Sequence, residues 1–174
     1  MLMYYGASLG IHQFPSNNFP ELACIYETQY GENTSLGSFR TQYFSPNQVS
    51  LRLNDAKDAK DGSEALKRIA YLQDEKTICI AGLGTSQVGA TFTIYHGRAI
   101  DFVELSENCA YCLFRDINRD LYIVDSKLKT KTHFLASCTY TQWVPLSDIL
   151  VAQSEQSMHV WYNASQPEQV SIVE

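Results

Sequence analysis

The chain has 174 residues, with 13 basic and 19 acidic side chains and a formal charge of −6. A hydrophobic fraction of 45% with 18% charged residues excludes a disordered or fibrous chain and fits one globular core. A pI near 5.2 argues against a nucleic-acid binder, which carries a basic stripe, and no apolar run is long enough for a membrane-spanning helix.

The charge is unevenly placed. No Lys or Arg precedes Arg40 and none follows Lys131. The two ends therefore hold only acids, namely Glu21, Glu27 and Glu32 in front and Asp148, Glu155, Glu168 and Glu174 behind. If the ends meet in the fold, they make one acidic face. The alternating Lys127, Lys129 and Lys131 read as a solvated hairpin end. The start, rich in Met, Leu and Tyr, has no positive residue and does not read as a signal peptide. Five cysteines, an odd number, fit reduced thiols in a cytosol, although export by a signal-less machine would leave the same pattern.

In chain order, residues 1–20 read as irregular, since Gly, Asn, Ser and Pro dominate. Residues 21–30 fit a strand or a short helix, with strand preferred. Ser38–Phe44 and Gln48–Leu53 read as strands, the latter alternating Val49, Leu51 and Leu53 against Ser50 and Arg52. Residues 54–61 form an exposed charged linker. A helix is predicted near 62–73, with Asp61 as N-cap, Glu64 completing a capping box, and Leu66, Ile69, Ala70 and Gln73 on one stripe. From Thr77 to Tyr162 the chain reads as an antiparallel meander. It includes a hairpin turning on His96-Gly97, another turning at Arg115–Asp120, and a last one over Ser154–Ser157. No repeat is regular enough to predict a propeller. The expected fold is a single α+β domain over 1–174, mainly antiparallel sheet with one helix.

Candidate chemistry is sparse. Gly82–Gly89 runs into a strand-like segment and not a helix, so it lacks the helix N-terminus a phosphate loop needs. Cys109-x-x-Cys112 lacks a second ligand pair for zinc, and in an extended chain the two thiols point to opposite faces. Asp116-x-Asn118-x-Asp120 opens like a calcium loop, but Leu121 stands where glycine is needed and Lys127 where a glutamate is needed. It reads as a turn held by Asx hydrogen bonds. No cofactor and no metal are expected.

His159-Val-Trp-Tyr-Asn163 is similar to the histidine strand of transglutaminase-like and papain-like folds. The resemblance covers five residues and implies a Cys–His mechanism, with Cys24 or Cys138 as the nucleophile paired with His159. No cysteine precedes a predicted helix, whose dipole those families use to favour thiolate. Arg40, Thr85-Ser86 and Glu104 or Glu107 lie in the order of an ADP-ribosyltransferase-like layout, but Glu104-Leu-Ser-Glu107 has one residue too many for that family's acidic motif.

The leading expectation is a non-catalytic cytoplasmic protein that docks on a basic protein partner. Asp148, Glu155 and Glu168 would supply the field, and Trp143 and Trp161 the anchors. In size and acidity such a chain resembles bacterial immunity or inhibitor proteins. The alternative is a thiol-dependent hydrolase or deamidase, in the form of a secreted effector.

Overall fold

A computed structural model describes residues 2–5, 8–13, 23–29, 46–53, 67–82 and 91–174. Fifteen strands run through these segments: β1 (Leu2–Tyr5), β2 (Ser8–Gln13), β3 (Ala23–Gln29), β4 (Val49–Leu53), β5 (Lys67–Asp74), β6 (Thr77–Gly82), β7 (Phe92–Tyr95) and β8 (Ile100–Leu105). β9 (Tyr111–Asp116), β10 (Leu121–Asp125), β11 (Thr130–Leu135), β12 (Cys138–Trp143), β13 (Leu150–Ser154), β14 (Ser157–Trp161) and β15 (Ser171–Val173) complete them. They form four antiparallel sheets in simple chain order: β1–β3, β4–β7, β8–β11 and β12–β15. A single 3-10 turn, Pro46–Gln48, leads into β4.

The expected α+β class is therefore corrected to all-β among the described residues. The segment read as a helix is β5 from Lys67 onward, laddered to β4 and β6. The cause is visible in its burial. Ile69, Ala70, Tyr71 and Leu72 are all buried, so both faces of the strand are covered and the period-two signal is lost. What remained in the sequence imitated a helical stripe. Residues 62–66, including the predicted capping glutamate, lie outside the described residues, as do the strand expected at 38–44, the 54–61 linker and most of the glycine loop at 82–89.

The hairpin expected at His96-Gly97 is also corrected. β7 pairs with β6 and β8 pairs with β9, so residues 96–99 cross from the second sheet into the third. Three consecutive four-stranded meanders of this kind are the repeat of a β-propeller, where each blade cannot bury its face alone. The repeat escaped detection in the sequence because no motif marks each blade; only strand count and order recur.

The sheets pack face to face. Between the second and third lie Ala70, Leu72, Ile78 and Ile80 against Val103, Leu105, Cys112, Phe114 and Val124. Between the third and fourth lie Leu113, Leu121 and Ile123 against Trp143, Leu150, Ala152 and Trp161. Alternate residues of one strand serve different interfaces: Cys112 and Phe114 of β9 face one neighbour, Leu113 the other. Burial fades outward, and β11 is largely exposed. In β12, a bulge between Cys138 and Tyr140 puts Cys138 and Thr141 on the same buried side although they are three residues apart. Among the described residues no helix is long and apolar enough to cross a membrane.

Candidate functional site

The densest polar arrangement surrounds Asp116, at the end of β9. Its carboxylate is buried, and its Oδ1 accepts the backbone N–H of Asn118 at 2.9 Å and of Asp120 at 3.0 Å. Its Oδ2 faces His96 Nε2 at 3.1 Å and Arg98 Nη1 at 3.3 Å. Burial works against this charge, but the hydrogen bonds from His96, the two amides and Arg98 outweigh it and hold the carboxyl below its ordinary range. On the other side of the ring, Lys131 Nζ sits 3.2 Å from His96 Nδ1 and donates to the Tyr95 carbonyl at 3.1 Å. An ammonium can only donate, so Nδ1 accepts and Nε2 carries the proton toward Asp116. The imidazole packs against Phe114 and Tyr122. Every polar position of the pair is occupied. The arrangement locks a crossover to a turn.

A second seam ties three sheets together near their first strands. Arg52 of β4 reaches Glu104 of β8 at 3.4 Å and Glu107 at 3.7 Å. Burial raises the Glu104 carboxyl above its usual range, against the pull of Arg52 and of the Trp143 backbone N–H. Ser50 Oγ accepts the Leu105 N–H at 3.0 Å. Arg115 clamps Asp101 through two N–H groups at 3.0 Å each and also donates to the carbonyls of Cys138 at 3.4 Å and Thr139 at 3.0 Å.

The residues singled out in the sequence are dispersed. Trp143 is 3% exposed and Trp161 1%; both rings fill the core between the third and fourth sheets. Asp148 is exposed in the β12–β13 loop and accepts a hydrogen bond from Asn108 Nδ2 at 2.8 Å. Glu168 is exposed in the β14–β15 loop, at the same end of the sheet. Glu155 stands at the opposite end, in the β13–β14 turn with φ 52°. The two acidic termini form separate sheets, and no ladder joins β1–β3 to β12–β15.

Cys138 and His159 are not brought together. The whole of β13 lies between them, which separates their backbones by roughly 9–10 Å before any offset along the strands. Cys138 Sγ donates to the Tyr140 carbonyl at 3.3 Å, and burial raises its thiol. The His159 ring stacks on Trp161 with centroids 5.8 Å apart. Cys24 lies on β3, in a different sheet from His159, and its side chain is outside the described residues. Cys109, in a left-handed turn residue before β9, is pushed up to about 11 by burial, and Cys112 is raised further by the same cause. Among the described residues no group of three or more His, Cys, Asp or Glu side chains could hold a metal ion.

Sequence reasoning missed the exposed surface of the fourth sheet. Tyr140, Met158 and Val173 stand there at 52%, 48% and 59% exposure. The alternation of β12 carried the signal, since Tyr140 falls on the side opposite Thr141 and Trp143.

These blades define the class: a segment of β-propeller type. A search of protein-family models gives no match. Residues of this chain are 43% identical over 145 positions to the intraflagellar transport protein 172 homolog of Mus musculus, covering 83% of this chain and 8% of that protein. The Drosophila melanogaster homolog is 39% identical over 155 residues, covering 89% and 8%. Intraflagellar transport protein 172 of Chlamydomonas reinhardtii is 35% identical over 149 residues, covering 85% and 8%. The chain thus spans about 8% of the length of the curated relatives it matches. Among solved structures, Kluyveromyces lactis Hsv2 aligns with a TM-score of 0.56 at 14% identity, over 97% of this chain and 48% of that one. That likeness concerns the fold alone. The bacterial immunity or inhibitor reading is corrected by the relatives, which are transport proteins of animals and an alga.

Proposed function

We propose that this chain is a non-catalytic protein-interaction segment serving transport within cilia or flagella. The observation that carries the reading is the 43% identity over 145 residues to a protein named for intraflagellar transport. The geometry agrees with it. The polar cluster at Asp116 is saturated, the thiols of Cys112 and Cys138 are buried and raised, and the stacked sheets offer loops and edges to partners. The partner is a protein. Its basic character rests on Asp148 and Glu168, which share one end of the fourth sheet and can meet a cationic segment together.

The test is expression of the tagged chain in Chlamydomonas reinhardtii. Enrichment in isolated flagella, with sedimentation in a large detergent-resistant particle, is the expected result. A chain that stays in the cell body and sediments only as a small species refutes the reading. Reversing Asp148→Lys and Glu168→Lys together should loosen the particle association at low salt while leaving the fold intact. Unchanged association removes the basic-partner part.

A further inference from the structure

β11 is the outer strand of the third sheet, and its far edge ladders to no other strand among the described residues. Thr130, Lys131, Thr132 and His133 are exposed along it. Lys131 and His133 share one face of the strand, and Lys129 stands in the turn just before it. All three lie over rings on the side of the second sheet. Lys129 Nζ is 5.5 Å from the centre of the Phe92 ring, Lys131 Nζ is 5.9 Å from that of Tyr122, and the His133 ring meets Tyr122 edge-on with centroids 5.2 Å apart. Lys131 also donates to the Tyr95 carbonyl and to His96 Nδ1, neither of which carries a negative charge.

The positive charge at this edge is not cancelled. Among the described residues no carboxylate stands within ion-pair distance of Lys127, Lys129, Lys131 or Arg119. The neighbouring acids are engaged: Asp120 with Arg98 and, at 3.9 Å, with His133; Asp125 with the backbone N–H groups of Lys127 and Leu128. The outer strand of the second sheet, β7, is by contrast uncharged. Lysines on a strand edge commonly serve to repel another copy of the same strand, and for that they need only reach water. Here Lys129 and Lys131 are laid over rings at fixed places, with N–H donors left over on each ammonium. Like charges refuse a second β11, and the same charges accept a strand of opposite sign. An extended segment with a carboxylate at every second position repeats its charge about every 6.6–6.8 Å, the rhythm of alternate residues on β11 itself. Laid along this edge, it would set those carboxylates as cross-strand neighbours of the cations, while backbone hydrogen bonds supply the remaining affinity.

We propose that the free edge of β11 takes an acidic protein segment as a further strand of the third sheet, with carboxylates at alternate positions facing Lys129 and Lys131. This surface is separate from Asp148 and Glu168 and does not depend on the transport reading. The probe is a fluorescein-labelled peptide of alternating Glu and Thr, titrated with the purified 174-residue chain and read by fluorescence anisotropy. Saturable binding that weakens as salt is raised is the expected result. Lys129→Glu should weaken it about tenfold, and Lys131→Gln, which can still donate to the Tyr95 carbonyl, about threefold. Arg119→Glu makes the same change in net charge at the opposite end of β10 and should leave binding near wild type. A peptide of the same composition with its acids in one block should bind more weakly. An alternating peptide that does not bind overturns the proposal, as does an equal loss from Arg119→Glu, which would reduce the effect to overall charge. Equal binding of the blocked peptide overturns the strand pairing. Lys129-dependent binding to vesicles containing phosphatidylserine, with none to the peptide, overturns it in favour of a membrane surface. Circular dichroism checks each variant, and Lys129→Thr gives the same reading should Lys129→Glu misfold.

Discussion

His96 joins two sheets by its backbone and its side chain at once. Its N–H donates to the Lys76 carbonyl at 2.8 Å, in the turn between β5 and β6, while its Nε2 meets Asp116 Oδ2 at 3.1 Å, in the turn after β9. The crossover from one blade to the next is thus pinned at both ends by a single residue. Asp116→Asn keeps the shape and can still accept the two turn amides, but it loses the charge that His96 and Arg98 face. The loss should be about 2–4 kcal/mol, in the range for breaking a buried pair. Urea denaturation at neutral pH measures it, and a change below half a kcal/mol would show that the pair contributes little.

The same residue sets an acid limit. The folded-state value of Asp116 lies below that of the unfolded chain, so the native state binds this proton less readily. Its contribution is complete above the unfolded value, about pH 4, and drains away as the pH drops through the folded value. Stability measured from pH 6 downward should fall in wild type and fall less steeply in Asp116→Asn. Parallel curves would assign the acid sensitivity to other carboxylates.

How much of this was legible follows from burial. A strand with one exposed face, such as β12 from Tyr140 to Trp143, alternates and can be read directly; β5, covered on both sides, cannot. The turn at Asp116–Asp120 was readable because Asx hydrogen bonds are local. The partner of that turn was not, since His96 lies 20 residues away and reaches it only through the crossover. Trp143 and Trp161 show the reverse error. Large rings among acids suggested surface anchors, yet sheet stacking needs large rings inside, and composition does not say which use prevails.

Buried thiols give a direct chemical test. Cys79, Cys109, Cys112 and Cys138 all titrate above their ordinary value because burial penalises thiolate. In native protein near neutral pH, iodoacetamide should label these four far more slowly than free cysteine, and all should react once urea unfolds the chain. Peptide mapping by mass spectrometry reads each site. Fast native labelling at Cys138 would revive a thiol mechanism.

Arg115 should prove hard to replace. Its planar fork holds both oxygens of Asp101 and two carbonyls at the start of β12, so one side chain spans the third and fourth sheets. Lysine keeps the charge but cannot match four directions. Arg115→Lys should cost about 1.5–3 kcal/mol, the range for hydrogen bonds to charged groups. Thermal unfolding checks it; a melting temperature equal to wild type would mean that the clamp is dispensable.

The two tryptophans separate packing from hydrogen bonding. Both fill the same core, but Trp161 Nε1 donates to the Pro167 carbonyl at 3.0 Å, whereas Trp143 Nε1 is buried with no acceptor among the described residues. Replacing either by Phe removes similar volume and one N–H. At Trp161 the change also abandons a carbonyl and frees the 162–170 loop. At Trp143 it removes a donor whose desolvation was never compensated. Trp161→Phe should therefore be the more destabilising of the two by about 1–2 kcal/mol. Chemical denaturation of the pair, compared at equal slope, decides it. Equal losses would mean that cavity size alone governs this core, and a larger loss at Trp143 would mean that its stacking on Tyr111, with ring centroids 6.5 Å apart, outweighs the hydrogen bond.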